Sequence, residues 1–388
     1  MNGTGGDGMF SAMIGGGGGS EIVVDERSVA GYPAVFNAID LIAADVAKIS
    51  IGVYRPNGDD GRERLGAHRV AKLLGLRNGE PNEHDTAFDV IYEWLWDALL
   101  CGRGMVWVQR DGPRPVALYR LVPNAWRPVA YQGRRYFANY GSPPIVLPAE
   151  DVLYLPGVRL DGLSPESPVR LFHDAMQTAL SVQRFASAFF ANGAHVGGFL
   201  RIPPGASPEA VANVSEDVAK KSSPDYWFKS LVLKDGFEWK PTTIEPNKAN
   251  LVELDQAQER KVAQIYKLPP SKIGIKDSVS YNSLEQENRN YYDSTLTPWA
   301  LRIAAQIQRK LLLPSERRRG LYVEHVIDSL QWADAQTRSV IAERGIRNGW
   351  LTPNEVRKWS NLPPIDGGDI ARRDANPHPT NNPDDGEE

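Results

Sequence analysis

The sequence has little of three things that would narrow its function quickly. It holds one cysteine, Cys101, which excludes a disulfide framework and any cysteine-based zinc site. That residue lies in the apolar run Leu99-Leu100-Cys101 and reads as a buried, inert thiol rather than a nucleophile. There is no excess charge of one sign: 44 Lys and Arg stand against 48 Asp and Glu, a formal net charge of −4. A protein that wraps or tightly clamps nucleic acid carries a basic excess, so that class is disfavoured. No apolar run approaches the ~18 residues of a membrane span. The N-terminal residues also lack the basic patch and apolar core of a signal peptide. The expectation is a soluble intracellular protein.

Enzyme signatures are missing as well. There is no G-x-x-x-x-G-K-[ST] loop to cradle nucleotide phosphates, no G-x-S-x-G elbow and no H-E-x-x-H pair. The six histidines, His68, His84, His173, His195, His325 and His378, are dispersed and lack ligand spacing. His84-Asp85 and His173-Asp174 are adjacent, and neighbours on a helix point apart, so each reads as a surface pair. Glu150-Asp151 reads as a polar boundary before a strand. Asp366-Gly367-Gly368-Asp369 lacks the remaining ligands of a calcium loop. The expectation is a chain without catalytic residues, cofactor or metal.

What is present is an ordered succession of elements. With 388 residues, the chain exceeds one domain of ~150 residues and suggests two or three units. The leader, 1–27, contains the run Gly15 to Gly19, and the tail, 371–388, is rich in Pro, Asn and acid from Asn376 on. Both hold too few large apolar groups to offset ordering entropy. Val35, Ile39, Ile42 and Val46 keep helical spacing after Pro33, and Ile51 to Tyr54 reads as a strand ended by a turn cluster. Phe88, Ile91, Leu95 and Leu99 mark a second helix. Strands follow at 105–110, 116–122, 135–140 and 152–155, so this part is α+β. From Ala175 to Ala191 only Arg184 is charged. A helix with almost no charged face is buried on several sides. Its cover is either the chain's own core or a neighbouring subunit, and Ala179 and Ala186 lie on it.

Residues 197–246 read as a small unit of their own. They hold a strand at 198–202, a helix opened by Ser207-Pro208-Glu209, and a hairpin pairing 229–233 with 237–240. A helix over about 248–267 stops before Pro269-Pro270. Leu284, Asn288, Tyr292, Thr295, Trp299, Ile303, Ile307 and Leu311 then mark the longest helical pattern, in which Pro298 predicts a kink. Between these helices lies a polar connector, Gly274 to Ser280. Two helices close the pattern, the second opened by a capping box at Thr352-Pro353-Asn354-Glu355.

Certain short motifs recur in one order along the chain. They are Val35-Phe36-Asn37-Ala38-Ile39, His68 with Leu73-Leu74, Pro81-Asn82, and Gly162-Leu163-Ser164-Pro165. Phe190-Ala191-Asn192-Gly193-Ala194, Ser280-Tyr281-Asn282-Ser283-Leu284-Glu285 and Thr297-Pro298 follow. Asn354-Glu355-Val356-Arg357 and Pro364-Ile365-Asp366-Gly367-Gly368-Asp369 end the series. Together they resemble the portal proteins of tailed double-stranded DNA phages, in the short-subunit branch called the HK97-like portal family. The likeness runs from about Ser28 to Asp369. Two places depart from it: Cys101-Gly102-Arg103-Gly104-Met105 replaces a Gly-Asn-Ala-Tyr type segment, and Tyr154 stands where a His is common. Both read as packing positions.

The resemblance implies an α+β portal-type subunit that assembles with identical copies into a ring, usually of twelve. Such a ring sits at one capsid vertex of the virion, after assembly in the host cytoplasm. Double-stranded DNA would pass through it without sequence recognition. Its protein partners would be the large terminase motor, a head–tail adaptor and the major capsid protein. The resemblance assigns 28–165 to a wing, 166–196 to a wing and stem helix, 197–246 to a clip and 247–273 to a stem helix. It assigns 274–282 to a tunnel loop, 283–330 to a long kinked helix and wing return, and 331–370 to a crown. Lys276, Asp277, Ser278 and Asn282 would line the channel. Tyr226, Trp227, Phe228 and Trp239 would offer docking surface on the clip or pack its core, and Ala179 and Ala186 would lie at the subunit interface. The competing reading, a DNA-processing enzyme of the packaging machinery, has no nucleotide or metal motif behind it. The charge balance fits a conduit. Each neutralised phosphate adds counterion-release affinity, and ring symmetry multiplies every basic channel residue. Arg317-Arg318-Arg319, the one compact basic run, reads as a solvated helix end.

Overall fold

The computed structural model describes residues 22–57, 61–75, 79–162, 164–191, 198–204, 206–221, 238–241, 251–275, 281–325, 335–359 and 362–371. The chain divides after His325 into two compact units. In the first, order begins ahead of the expected boundary at 27. Asp25 caps helix α1 (Glu26–Ala30) by accepting from the Ser28 amide at 2.7 Å, and the Ser28 hydroxyl accepts from the Asp25 amide in return. This capping box needs no large apolar group, which is why composition missed it.

Helix α2 (Pro33–Ala47) starts on Pro33, where a missing amide is no loss. It buries Val35, Ile39, Ile42 and Val46. β1 (Ile51–Asn57) and β2 (Gly61–Arg64) form an antiparallel pair, followed by α3 (Arg69–Leu74) and α4 (Ala87–Cys101). β1 extends through Pro56, beyond the expected stop. Only β2 pairs with it there, because the second neighbour of β1 reaches no further than Tyr54, so the proline disturbs no central ladder.

β3 (Arg103–Asp111) and β4 (Arg114–Arg120) form a hairpin beneath α4. Gly104 makes that packing possible, since a Cβ there would overlap the Trp94 carbonyl. β5 (Trp126–Tyr131), β6 (Arg134–Asn139) and β7 (Ile145–Pro148) make a separate antiparallel sheet, of which only β6 was anticipated. β5 contains Pro128 and β7 is four largely exposed residues, so neither shows an alternating apolar face. β8 (Val152–Pro156) returns to the other edge of β3. Tyr154, on β8, is buried edge-to-face against Phe137, with centroids 5.0 Å apart.

After α5 (Pro168–Leu171) comes the weakly charged helix α6 (His173–Ala191). β9 (Gly198–Arg201), α7 (Pro208–Lys221) and β10 (Glu238–Pro241) belong to the expected clip. β10 pairs antiparallel with β9, while the other strand of the expected hairpin, 229–233, lies outside the described residues. α8 (Leu251–Ile265) packs along α6.

The long helical pattern resolves into α9 (Tyr281–Tyr291), a π-helical turn (Tyr292–Leu296) and α10 (Thr297–Leu311). In the wide turn the Thr297 amide donates to the Tyr292 carbonyl. Pro298 therefore enters at the first turn of α10 rather than in a helix interior, and the interruption falls before the proline instead of on it. After α11 (Pro314–Arg318), β11 (Tyr322–His325) adds to the free edge of β1 and ties the end of the unit to its beginning. The core is continuous from α2 and α4 to α10, with Ile39, Ile42, Trp94, Leu95, Ile303 and Ile307 fully buried.

The second unit contains α12 (Ala335–Arg347) and α13 (Pro353–Trp359). The Glu355 carboxylate accepts from the Thr352 amide at 2.8 Å and the Thr352 hydroxyl from the Glu355 amide at 3.2 Å, the anticipated capping box. Asn354 holds the following loop: its amide group donates to the Ile365 carbonyl and its side-chain oxygen accepts from the Ile365 amide.

Candidate functional site

The connector between α8 and α9 is the segment to which the sequence assigned channel-lining residues. Lys276, Asp277 and Ser278 lie outside the described residues, and Asn282 lies in the first turn of α9. What the structure describes is the base from which the connector leaves. On the N-terminal side, a 3-10 turn over Pro270–Ile273 ends at Gly274, whose φ of +94° favours glycine. Ile275 then buries its side chain.

On the C-terminal side, the Ser271 hydroxyl donates to Glu287 on α9 at 2.6 Å, closing the connector at its root. One helical turn further, the Tyr291 hydroxyl donates to Asp45 on α2 at 2.9 Å. Burial and the neighbouring Asp45 carboxylate both push the Tyr291 phenol well above its ordinary range, so it stays a donor. The Thr295 hydroxyl donates to the Lys267 carbonyl at 2.6 Å. None of these anchors was visible in the sequence, because Asp45 and Tyr291 are 246 residues apart and no short motif links them.

The pair α6 and α8 frames the same region. Met176 and Ala179 of α6 share the core with Val262, Ala263 and Tyr266 of α8, and Val182 is buried as well. Ala179 is 2% exposed, so it belongs to the subunit's own core, while Ala186 is half-buried. The face of α6 left open carries Gln177, Thr178, Phe185, Ser187 and Ala188. The cover of α6 is thus internal on one side. Trp239 has its backbone in β10, opposite Leu200 of β9, and Tyr226, Trp227 and Phe228 lie outside the described residues.

Other singled-out residues have structural roles. Cys101 is buried, and burial pushes its thiol up to about 12, which leaves it inert. His68 caps α3 by accepting from the Val70 amide and faces Glu316 at 3.3 Å, which Arg69 also grips at 2.6 Å. Burial alone would raise the Glu316 carboxyl, but Arg69, the Leu313 amide and His68 together hold it below its ordinary value. Asn82 supports its turn, accepting from the amides of His84 and Asp85 at 2.8 Å and donating to the Leu118 carbonyl. Asp151 pairs with Arg110 at 2.6 Å. Arg317, Arg318 and Arg319 are exposed at the end of α11. Among the described residues no group of three His, Cys, Asp or Glu could hold a metal ion, and no helix is long and apolar enough to cross a membrane.

The described residues thus form an α+β body that anchors both ends of a connector between two helices. The sequence matches the phage portal protein family over residues 33–361, and the chain belongs to that family. Its function is that of a portal protein. The probable portal protein of Streptomyces phage phiC31 is 27% identical over 350 residues, covering 86% of this chain and 75% of that one. The portal protein of Enterobacteria phage HK97 is 26% identical over 363 residues, covering 92% of this chain and 84% of that one. The fold is similar to that of a chain in the neck of a native gene transfer agent particle, computed with C12 symmetry. There the TM-score is 0.56 at 20% identity, with 87% of this chain and 91% of that chain covered. The expected α+β portal-type fold is therefore present, and the portal family is structural rather than catalytic.

Proposed function

We propose that this chain forms a closed ring of identical subunits at one vertex of a capsid, and that double-stranded DNA passes through the ring during packaging and ejection. The observation that carries this reading is the anchored connector. Ser271 with Glu287, and Tyr291 with Asp45, fix its two ends to the rigid body, as a loop that must adjust to a moving duplex requires. In a ring such loops from every copy would converge on the axis. Lys276 and Asp277 would then set both charge signs at nearly one height, allowing brief phosphate contacts without a deep electrostatic well.

The clip, 197–246, would offer surface to the terminase motor and then to a head–tail adaptor, with Tyr226, Trp227, Phe228 and Trp239 as aromatic anchors. The wing would face the major capsid protein. The subunit contact at α6 would use its open face around Phe185 and Ala186, since Ala179 serves the internal core. A ring closes only through heterologous contacts, one face of a subunit against a different face of the next. Twelve copies, by analogy with the C12-symmetric neck, of the 42.9-kDa chain would weigh about 515 kDa. Light scattering on the purified protein should find a species near that mass, and a monomer at micromolar concentration in assembly buffer would sink the ring reading.

A further inference from the structure

We propose that the first unit carries a docking site for an acidic side chain of another protein chain, in a cavity where Arg103, Arg127 and Arg170 converge. The site flanks the Gly-Leu-Ser-Pro turn, a motif to which the portal reading gives no role. Two confluent hollows, of about 150 and 290 Å³, share these three arginines and Glu166, and Glu26 lines the smaller.

The walls are rigid. Gly102, between α4 and β3, has a φ of +70°, and a Cβ there would overlap the Glu166 carbonyl, so its backbone is in direct contact with that of Glu166 and Ser167. The Gly157 amide donates to the Gly102 carbonyl at 2.5 Å, the Glu166 amide to the Val158 carbonyl at 2.8 Å, and the Ser167 hydroxyl to the Leu100 carbonyl at 3.1 Å. Arg103 is itself aimed, because its Nε and one terminal nitrogen both donate to the Pro123 carbonyl. Arg127 and Arg170 are exposed. Among the described residues no carboxylate forms an ion pair with any of the three, and Glu26 and Glu166, though in the same walls, pair with none of them.

The mixed walls choose the ligand. Arginine forks fit a carboxylate or a phosphate equally well. The two glutamates do not: a DNA backbone offers them no donor and brings its charges against theirs. A peptide supplies both partners at once, a carboxylate for the arginines and backbone amides for the glutamates. The net charge of the five groups is one positive unit, which suits a single acidic side chain and not a polyanion.

Fluorescence anisotropy of a labelled peptide of alternating Asp and Gly, titrated with the full-length protein, tests the assignment against labelled duplex DNA. The peptide should bind, and the double variant Arg127→Ala/Arg170→Ala should weaken it about ten- to a hundredfold. Arg317→Ala/Arg318→Ala, an equally exposed pair elsewhere, should leave it unchanged. Arg127→Lys/Arg170→Lys should fall between, keeping charge but losing the fork. All these side chains are exposed, so thermal midpoints should match the parent. Absence of peptide binding, equal loss in the Arg317/Arg318 pair, or duplex DNA binding that disappears with Arg127 and Arg170 while the peptide's persists would each overturn the proposal. None of these readouts requires a ring.

Discussion

His325 ends the first unit as a buried imidazole whose ring nitrogens make no well-formed hydrogen bond among the described residues. Burial pushes it down from 6.5 to about 4, against a smaller pull from the backbone of Ile49. Above pH 6.5 the ring is neutral whether the chain is folded or not. As pH falls below that value, the unfolded chain takes up a proton that the folded one refuses, so stability drops until about pH 4 and then levels. The drop should be about 3 kcal/mol. Urea unfolding across this interval should show it, and His325→Leu should flatten the slope; an identical pH profile in the variant would mean that other groups cause it. Asn354 is the matching case in the second unit. A Cβ at Gly368 would overlap the Asn354 side chain, and that side chain holds the Ile365 backbone at 2.8 and 3.1 Å. The two C-terminal motifs of the sequence are thus the halves of one packed turn. Asn354→Ala should destabilise the second unit by about 1–3 kcal/mol, read as a lower denaturant midpoint.

At the scale of elements, α8 shows how a helix end supports the connector. It terminates in a Schellman motif: the Leu268 amide donates to the Ala263 carbonyl at 2.8 Å and the Lys267 amide to Gln264 at 3.2 Å. Lys267 occupies the left-handed position, φ +56°, where glycine is unstrained. Lys267→Gly should therefore stabilise the first unit by about 1 kcal/mol, and a lower thermal midpoint would contradict this. Elements whose signals are local could be read directly from the sequence. α2 and α4 combine apolar spacing with a proline start or a Thr86–Asp89 capping box. β5 and β7 could not, because a proline and exposed apolar residues hide their alternation. Pro298 was read as a kink because its effect depends on the turn before it, and a π turn has no sequence period of its own. The connector was legible as a polar stretch between helices, whereas its anchors were not, since they join through tertiary contacts with α2.

At the scale of the whole molecule, the near-neutral charge and the connector make one argument about DNA. A chain with a net charge of −4 exerts no general pull on a polyanion, so any retention of DNA in an assembled ring must come from residues presented at the axis. The connector is the candidate, because its roots are fixed by Ile275 and the Ser271–Glu287 bond while Lys276, Asp277, Ser278 and Ser280 between them are polar or charged. Asp277→Lys would replace an acidic group by a basic one in every copy, turning a belt of mixed sign into a positive one. Since the anchors at Ser271, Glu287, Tyr291 and Asp45 are untouched, the variant should assemble as the parent does. It should then hold duplex DNA, with affinity falling steeply as salt rises, because each new phosphate contact displaces condensed counterions. Filter retention of labelled duplex over a salt series, on rings of verified mass, reads this directly. A variant that forms rings but binds no more DNA than the parent would remove the connector from the channel wall.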